Sequence, residues 1–209
     1  MNDAVEMTNR LSVLDGEGLR EISSASSLLE HCFGDIETLE VPIDIKRIID
    51  CVEGVRYSDS LGNFEDLLKS GFVRVERDQN RAVKSVLIWV NPTEMSQRQR
   101  FTAAHELGHL VHDVYPSIDD DTVDEEISDS LTLNRGAGRS YRETRADRFA
   151  AQLLMPSKLV EREVRNLLAT VEGTGKKITK QEAIEVLSQK FDVSRLSMEI
   201  RLKTLGYIK

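Results

Sequence analysis

His105-Glu106-Leu107-Gly108-His109 is the stretch whose residue types and spacing can do chemistry. On a helix, residues four apart sit about 40° from each other around the axis and one turn along it, so both imidazoles can grip one metal ion. Glu106 lies about 100° further round, poorly placed to share that ion and well placed to touch a water beside it. A pair of imidazoles holding a cation and a carboxylate moving a proton are the parts of metal-assisted hydrolysis. A catalytic zinc site takes three protein ligands, so one more must come from elsewhere in the chain.

Glu143 is the expected third ligand. It stands on the next helix, which opens at Ser140, buries Ala146, Phe149, Ala150, Leu153 and Leu154, and ends at Met155-Pro156. A carboxylate on such a rigid element suits a ligand, and Asp147, one turn on, can accept the spare N–H of a bound histidine. The plainer alternative is a capping box in which Glu143 returns to the Ser140 amide. A third histidine in the metzincin pattern requires glycine at position 112 and histidine at 115, but the chain has His112 and Tyr115. His112 lies about 10 Å along the helix from His105, which suits a packing role. His31, alone on a short helix, reads as structural. Tyr141, Tyr115 and Arg142 are the candidate donors to a reaction oxyanion, with Tyr141 also a candidate support beside the ligands; the residues alone do not choose among them.

The active segment must be held by other elements. Ser96 to His112 reads as one helix, capped by Ser96 with Gln99 reaching back, its apolar stripe made by Phe101, Ala104, Leu107, Leu110 and Val111. Val55 to Tyr57, Gly71 to Glu76 and Lys84 to Val90 read as strands, the last leading through Asn91-Pro92 into the helix. An extended peptide can add to an exposed edge of such a sheet and be held across the metal. Ser23 to Cys32 and the region of Ile45, Ile48, Ile49 and Val52 read as short packing helices ended by Gly34 and Gly54, and residues 1–21 as a flexible lead-in. Between the two motif helices, Asp119, Asp120, Asp121, Asp124, Glu125, Glu126 and Asp129 crowd together, followed by Arg135-Gly136-Ala137-Gly138-Arg139. Such like charge reads as a solvated loop; the functional alternative is a lid, or a patch that selects basic substrate segments.

With 209 residues and 40% hydrophobic content, the chain can bury a core. No run of eighteen apolar residues occurs, and residues 1–10 lack a basic start and an apolar block, so no membrane span is expected and the cytoplasm is the expected address. Cys32 and Cys51 are far apart and form no CxxC pair, which suits reduced thiols. Residues 1–156 carry 17 Lys and Arg against 29 Asp and Glu, whereas residues 157–209 carry 11 against 7. The acidic body speaks against general nucleic-acid affinity. In the tail, Thr179 and Glu182 open one helix, and Asp192-Val193-Ser194 turns the chain into a second, Arg195 to Leu205, ended by Gly206. The pair can be a helix-turn-helix with Arg195, Arg201 and Lys203 meeting phosphates, although completing the core or docking a partner is the favoured role.

Arg100-Phe101-Thr102-Ala103-Ala104-His105-Glu106-Leu107-Gly108-His109, followed by Glu143-x-x-Ala146-Asp147-x-Phe149-Ala150-Ala151-x-Leu153-Leu154-Met155-Pro156, resembles the ImmA/IrrE family of bacterial and phage metallopeptidases. Val41-Pro42-Ile43-Asp44, Phe191-x-Val193-Ser194 and Arg201-Leu202-x-x-Leu205-Gly206 are also similar to it, so the likeness runs from about residue 25 to the C-terminus. The resemblance implies an α+β, zincin-like domain with a small mixed or antiparallel sheet and an active-site helix, at residues 22–156, followed by a helical, helix-turn-helix-like subdomain at 157–209. It also implies Zn²⁺ on His105, His109 and Glu143, with Glu106 as acid/base. The implied substrate is an XRE-type helix-turn-helix repressor, cleaved in the cytoplasm to derepress a mobile-element, stress or toxin–antitoxin operon. The acidic insertion is longer than the resemblance leads one to expect. The competing class is a non-hydrolytic zinc-binding regulator, or toxin or antitoxin partner, that sequesters its target, with a DNA-binding tail as a further variant.

Overall fold

The computed structural model describes residues 13–119, 126–130, 140–174 and 177–209. Its architecture is α+β, with a mixed four-stranded sheet in the order β1-β3-β2-β4, where β1 is Val55–Ser58, β2 Lys69–Arg77, β3 Val83–Val90 and β4 Glu126–Ser130. β1 runs parallel to β3, and β2 runs antiparallel to both β3 and β4. Alternation along the strands sorts the two faces. Val73, Val75, Val86, Ile88 and Val90 enter the core, whereas Phe72 and Trp89 stack on the other face with ring centroids 5.2 Å apart. The β2–β3 turn is built by Asp78, whose carboxylate accepts from the Asn80 and Ala82 amides.

The link from β3 into the active helix is tied by Asn91. Its buried amide donates to the Leu67 and Lys69 carbonyls, while its oxygen accepts from the Thr93 amide and hydroxyl. Helix α4 follows as Ser96–His109. The expected Ser96 cap is not made: Met95 is the N-cap, its carbonyl accepts from Arg98 and Gln99, and Ser96 is already inside the first turn. Gln99 reaches back instead to the Pro92 and Glu94 carbonyls. At the other end the chain does not fall into a loop near His112. It widens into a π turn over Leu110–Val114 and tightens into a 3₁₀ turn over Tyr115–Ser117.

Around this sit α1 (Gly16–Glu21), α2 (Ala25–Phe33), α3 (Ile45–Asp50), α5 (Tyr141–Leu154), α6 (Ser157–Thr174), α7 (Lys180–Phe191) and α8 (Arg195–Thr204). Two expectations are corrected. Residues 13–21, read as part of a flexible lead-in, are packed: Leu14 bridges to Val52, and Leu14 and Leu19 are buried, because burying two leucines outweighs fixing a short helix. Residues 1–12 lie outside the described residues. The acidic stretch, read as a solvated loop, contributes β4, because Glu126 finds two cations on β2 and the strand finds an open edge. Asp120, Asp121, Asp124, Glu125 and the run 131–139, with its glycines and arginines, lie outside the described residues.

The C-terminal helices share the one core. Leu187, Phe191, Met198 and Leu202 are buried in the same cluster as the sheet valines. Arg201, itself buried, donates to the Met155 carbonyl (2.8 Å), and Asp192 at the α7–α8 turn binds Gln97 and Arg100 of α4. The tail thus braces the first turns of the active helix.

Candidate metal centre

α4 and α5 cross where side chains are smallest. A Cβ built on Gly108 would stand 3.2 Å from the Ala146 Cα and 3.2 Å from the Phe149 Cβ, so glycine at 108 lets the two backbones approach. That approach carries Glu143 to the histidines: its two oxygens lie 3.3 Å from His105 Nε2 and 3.4 Å from His109 Nε2, and the two Nε2 atoms are 3.0 Å apart. One ligand atom from each of His105, His109 and Glu143 falls within 4.8 Å of the others. Ser140 does cap α5 by accepting from the Glu143 backbone N–H (3.3 Å), but the Glu143 carboxylate faces the imidazoles instead of returning to the Ser140 amide.

The far side of each ring is also held. His105 Nδ1 lies 3.1 Å from Asp147 Oδ1, and His109 Nδ1 lies 2.7 Å from Asp113 Oδ2. Carboxylates only accept, so Nδ1–H donates in both cases, which leaves Nε2 of each ring as the atom that faces Glu143 and would ligate a metal. Two imidazole nitrogens and a carboxylate therefore converge on one point. Without a metal the Nε2 atoms carry protons that they donate to Glu143, and a divalent cation can take the place of those protons. Burial opposes charge on these rings, yet hydrogen bonds to Asp147 and Glu143 and the nearby Glu106 charge push His105 up to about 10. Burial is likewise outweighed at His109, which Asp113, Glu143 and Glu106 push up to about 9. Bonds from the two imidazoles hold Glu143 far below the usual carboxylate range. The surroundings demand positive charge, and the donor set of two imidazoles and a carboxylate fits a divalent transition metal.

Glu106 is fully buried and close enough to act electrostatically on both histidines. The strand beside it is β2: a Cβ built on Gly71 would stand 3.2 Å from Glu106 Oε1, 2.9 Å from the Trp89 carbonyl and 2.5 Å from Thr102 Cγ2. The first residues of β2 thus pass against the Glu106 carboxylate.

The structure brings together His105, His109 and Glu143, with Asp147 on the far side of the His105 ring and Glu106 buried nearby. It does not gather the oxyanion candidates. Tyr141 stands largely exposed with Arg145 over its ring, Arg142 is drawn to Asp113 (3.2 Å), and Tyr115 is buried against α1 beside Gly16. His112 packs edge-on to Phe149, and burial and Arg145 hold its pKa down, so it is a neutral packing residue. Sequence reasoning missed Asp113, which supports His109 and is itself gripped by Arg142 and Arg145. The signal that could have found it is the same four-residue spacing, His109 to Asp113.

Comparison with known families gives one result. Residues 68–203 match the model of the peptidase family M78, described as the IrrE N-terminal-like domain. No curated protein matches the chain.

Proposed function

The chain belongs to the IrrE N-terminal-like peptidase family M78, and from that premise we propose that it is a zinc-dependent endopeptidase acting on an XRE-type helix-turn-helix repressor. The observation that carries the peptidase reading is the convergence of His105, His109 and Glu143 beside the buried Glu106. These three residues would hold Zn²⁺, which supplies Lewis acidity to a water and to the scissile carbonyl. Asp147 and Asp113 keep both ring lone pairs aimed inward. Glu106 accepts a proton from the water as its oxygen attacks the carbonyl carbon, and returns it to the amide nitrogen as the C–N bond breaks, leaving a carboxylate and an amine. Burial of Glu106 keeps bulk water from competing for that proton.

The repressor as substrate rests on the family likeness, with the cytoplasm as the proposed site of action; among the described residues no helix is long and apolar enough to cross a membrane. The tail is better suited to bracing than to DNA. Arg201 is buried on Met155, Arg195 pairs with Glu185 (3.0 Å) and Lys203 with Glu199 (3.0 Å), so each candidate phosphate contact already has a partner. One gel tests the proposal. Incubation with a purified XRE-type repressor should yield two fragments, lost with chelator and with Glu106→Gln. An intact repressor held in a stable complex would overturn turnover in favour of sequestration.

A further inference from the structure

A peptide that is to lie beside Glu106 in extended form needs the edge of β2, because the other side of β2 is taken by β3. That edge is filled from within the chain. β4 pairs antiparallel along it, Arg74 opposite Glu126, Val73 opposite Ile127 and Gly71 opposite Asp129. Glu126 is held by Lys69 and Arg74, the latter through Nη2 at 2.6 Å and Nε at 2.9 Å. The two cations are set in place by other groups: both stand over the Phe72 ring, at 5.1 and 4.3 Å, and each lies 3.7 Å from Asp66. Their receptor for a carboxylate is thus built into β2 and the outer face of the sheet, not brought by β4.

Accepting the peptidase reading, we propose that β4 is an internal stand-in for the substrate strand, and that Lys69 and Arg74 form a subsite for an acidic side chain of the substrate. Exchange of one antiparallel strand for another remakes the same main-chain hydrogen bonds, so the side chains decide which strand holds the edge. The register sets the position. Glu126 precedes Asp129 by three residues, so the acidic residue sought lies three positions N-terminal to the one opposite Gly71. The peptide preferred is acidic, opposite to the basic segments that a charged loop acting alone would select.

The test measures binding of fluorescent, unstructured Ser/Ala peptides carrying one glutamate walked along their length, using full-length Glu106→Gln protein so that nothing is cut. Glu126→Ala should tighten binding about tenfold, the worth of one partly buried charge-assisted pair. One glutamate position should stand out, and Arg74→Ala should erase that preference. A Val73→Cys/Ile127→Cys crosslink should abolish binding when oxidised and restore it when reduced. Equal affinity with and without Glu126, binding to the crosslinked form, or no binding even by Glu126→Ala overturns the proposal. Unsubstituted protein given the same peptides separates the two readings. Metal-dependent cutting without positional preference sinks the subsite and keeps the peptidase, whereas selective binding with no cutting does the reverse.

Discussion

His109 and Asp113 are joined through Nδ1 and Oδ2 at 2.7 Å, and the Asp113 carboxylate, almost wholly buried, is in turn held by Arg142 and Arg145. The pair fixes which nitrogen of His109 faces inward and how the ring is turned. Asp113→Asn keeps the shape but can present an amide N–H to Nδ1, which favours the opposite tautomer. Metal affinity should fall roughly 10- to 100-fold, read by competition with a chromogenic chelator, while the circular-dichroism spectrum stays unchanged. Asp147→Asn should act in the same direction through His105, and an affinity unmoved in both variants would remove the carboxylates from the site's design.

Glu106 divides holding from turnover. Because its place on α4 is about 100° round from the histidines, Glu106→Gln should leave metal content at one ion per chain. Peptide cleavage should fall by at least about a hundredfold, since the amide cannot accept the proton. Equal turnover in that variant would take Glu106 out of the reaction.

Legibility followed the range of the forces. His105, His109 and Asp147 were readable because a helix repeats every 3.6 residues, so spacing alone tells which side chains share a face. Glu143 was readable as a carboxylate on a rigid helix, but its approach depends on Gly108 meeting Ala146, a contact between segments that no local pattern announces. Asp113 was hidden because the acidic stretch masked the continued turn after His109. β4 was hidden for a different reason. Glu-Ile-Ser-Asp-Ser has no strand-like alternation of apolar residues, and its conformation is imposed by the β2 edge and by Lys69 and Arg74. Leu14 and Leu19 were overlooked because two apolar residues among glycines and charges make no periodic signal, although both end up in the core.

Gly71 is where the sheet and α4 come closest. An alanine methyl there would stand 2.5 Å from Thr102 Cγ2 and 2.9 Å from the Trp89 carbonyl, the second a backbone atom that cannot move without disturbing β3. Gly71→Ala should therefore cost about 1–3 kcal/mol in urea unfolding and lower turnover beyond what the remaining folded fraction explains, because β2 must draw back from Glu106. Adding Thr102→Ser removes the closest methyl and should recover part of the stability. No change in either measurement would mean that β2 has slack at this point.

Glu163 ties α6 to α7 and to residues 36–38. Its buried carboxylate accepts from Arg162 Nε (2.8 Å) and from Lys190, and Arg162 also donates to the Glu37 carbonyl (2.7 Å). Burial raises its pKa, but the bonds from Lys190 and Arg162 prevail and hold it below the ordinary value. A carboxyl more acidic in the folded chain than in the unfolded one contributes stability above the unfolded pKa, about 4.3, and loses it as pH falls through the folded value. Glu163→Gln should therefore cost about 1–2 kcal/mol near neutral pH, a figure kept modest because both cations are partly exposed. Between about pH 5 and pH 3 the gap between the two proteins should close, since protonation brings the native residue to the neutral state that glutamine already has. Urea midpoints measured in parallel across that range test this, and a gap that stays constant or widens toward acid would show that the Glu163 charge does not stabilise the fold.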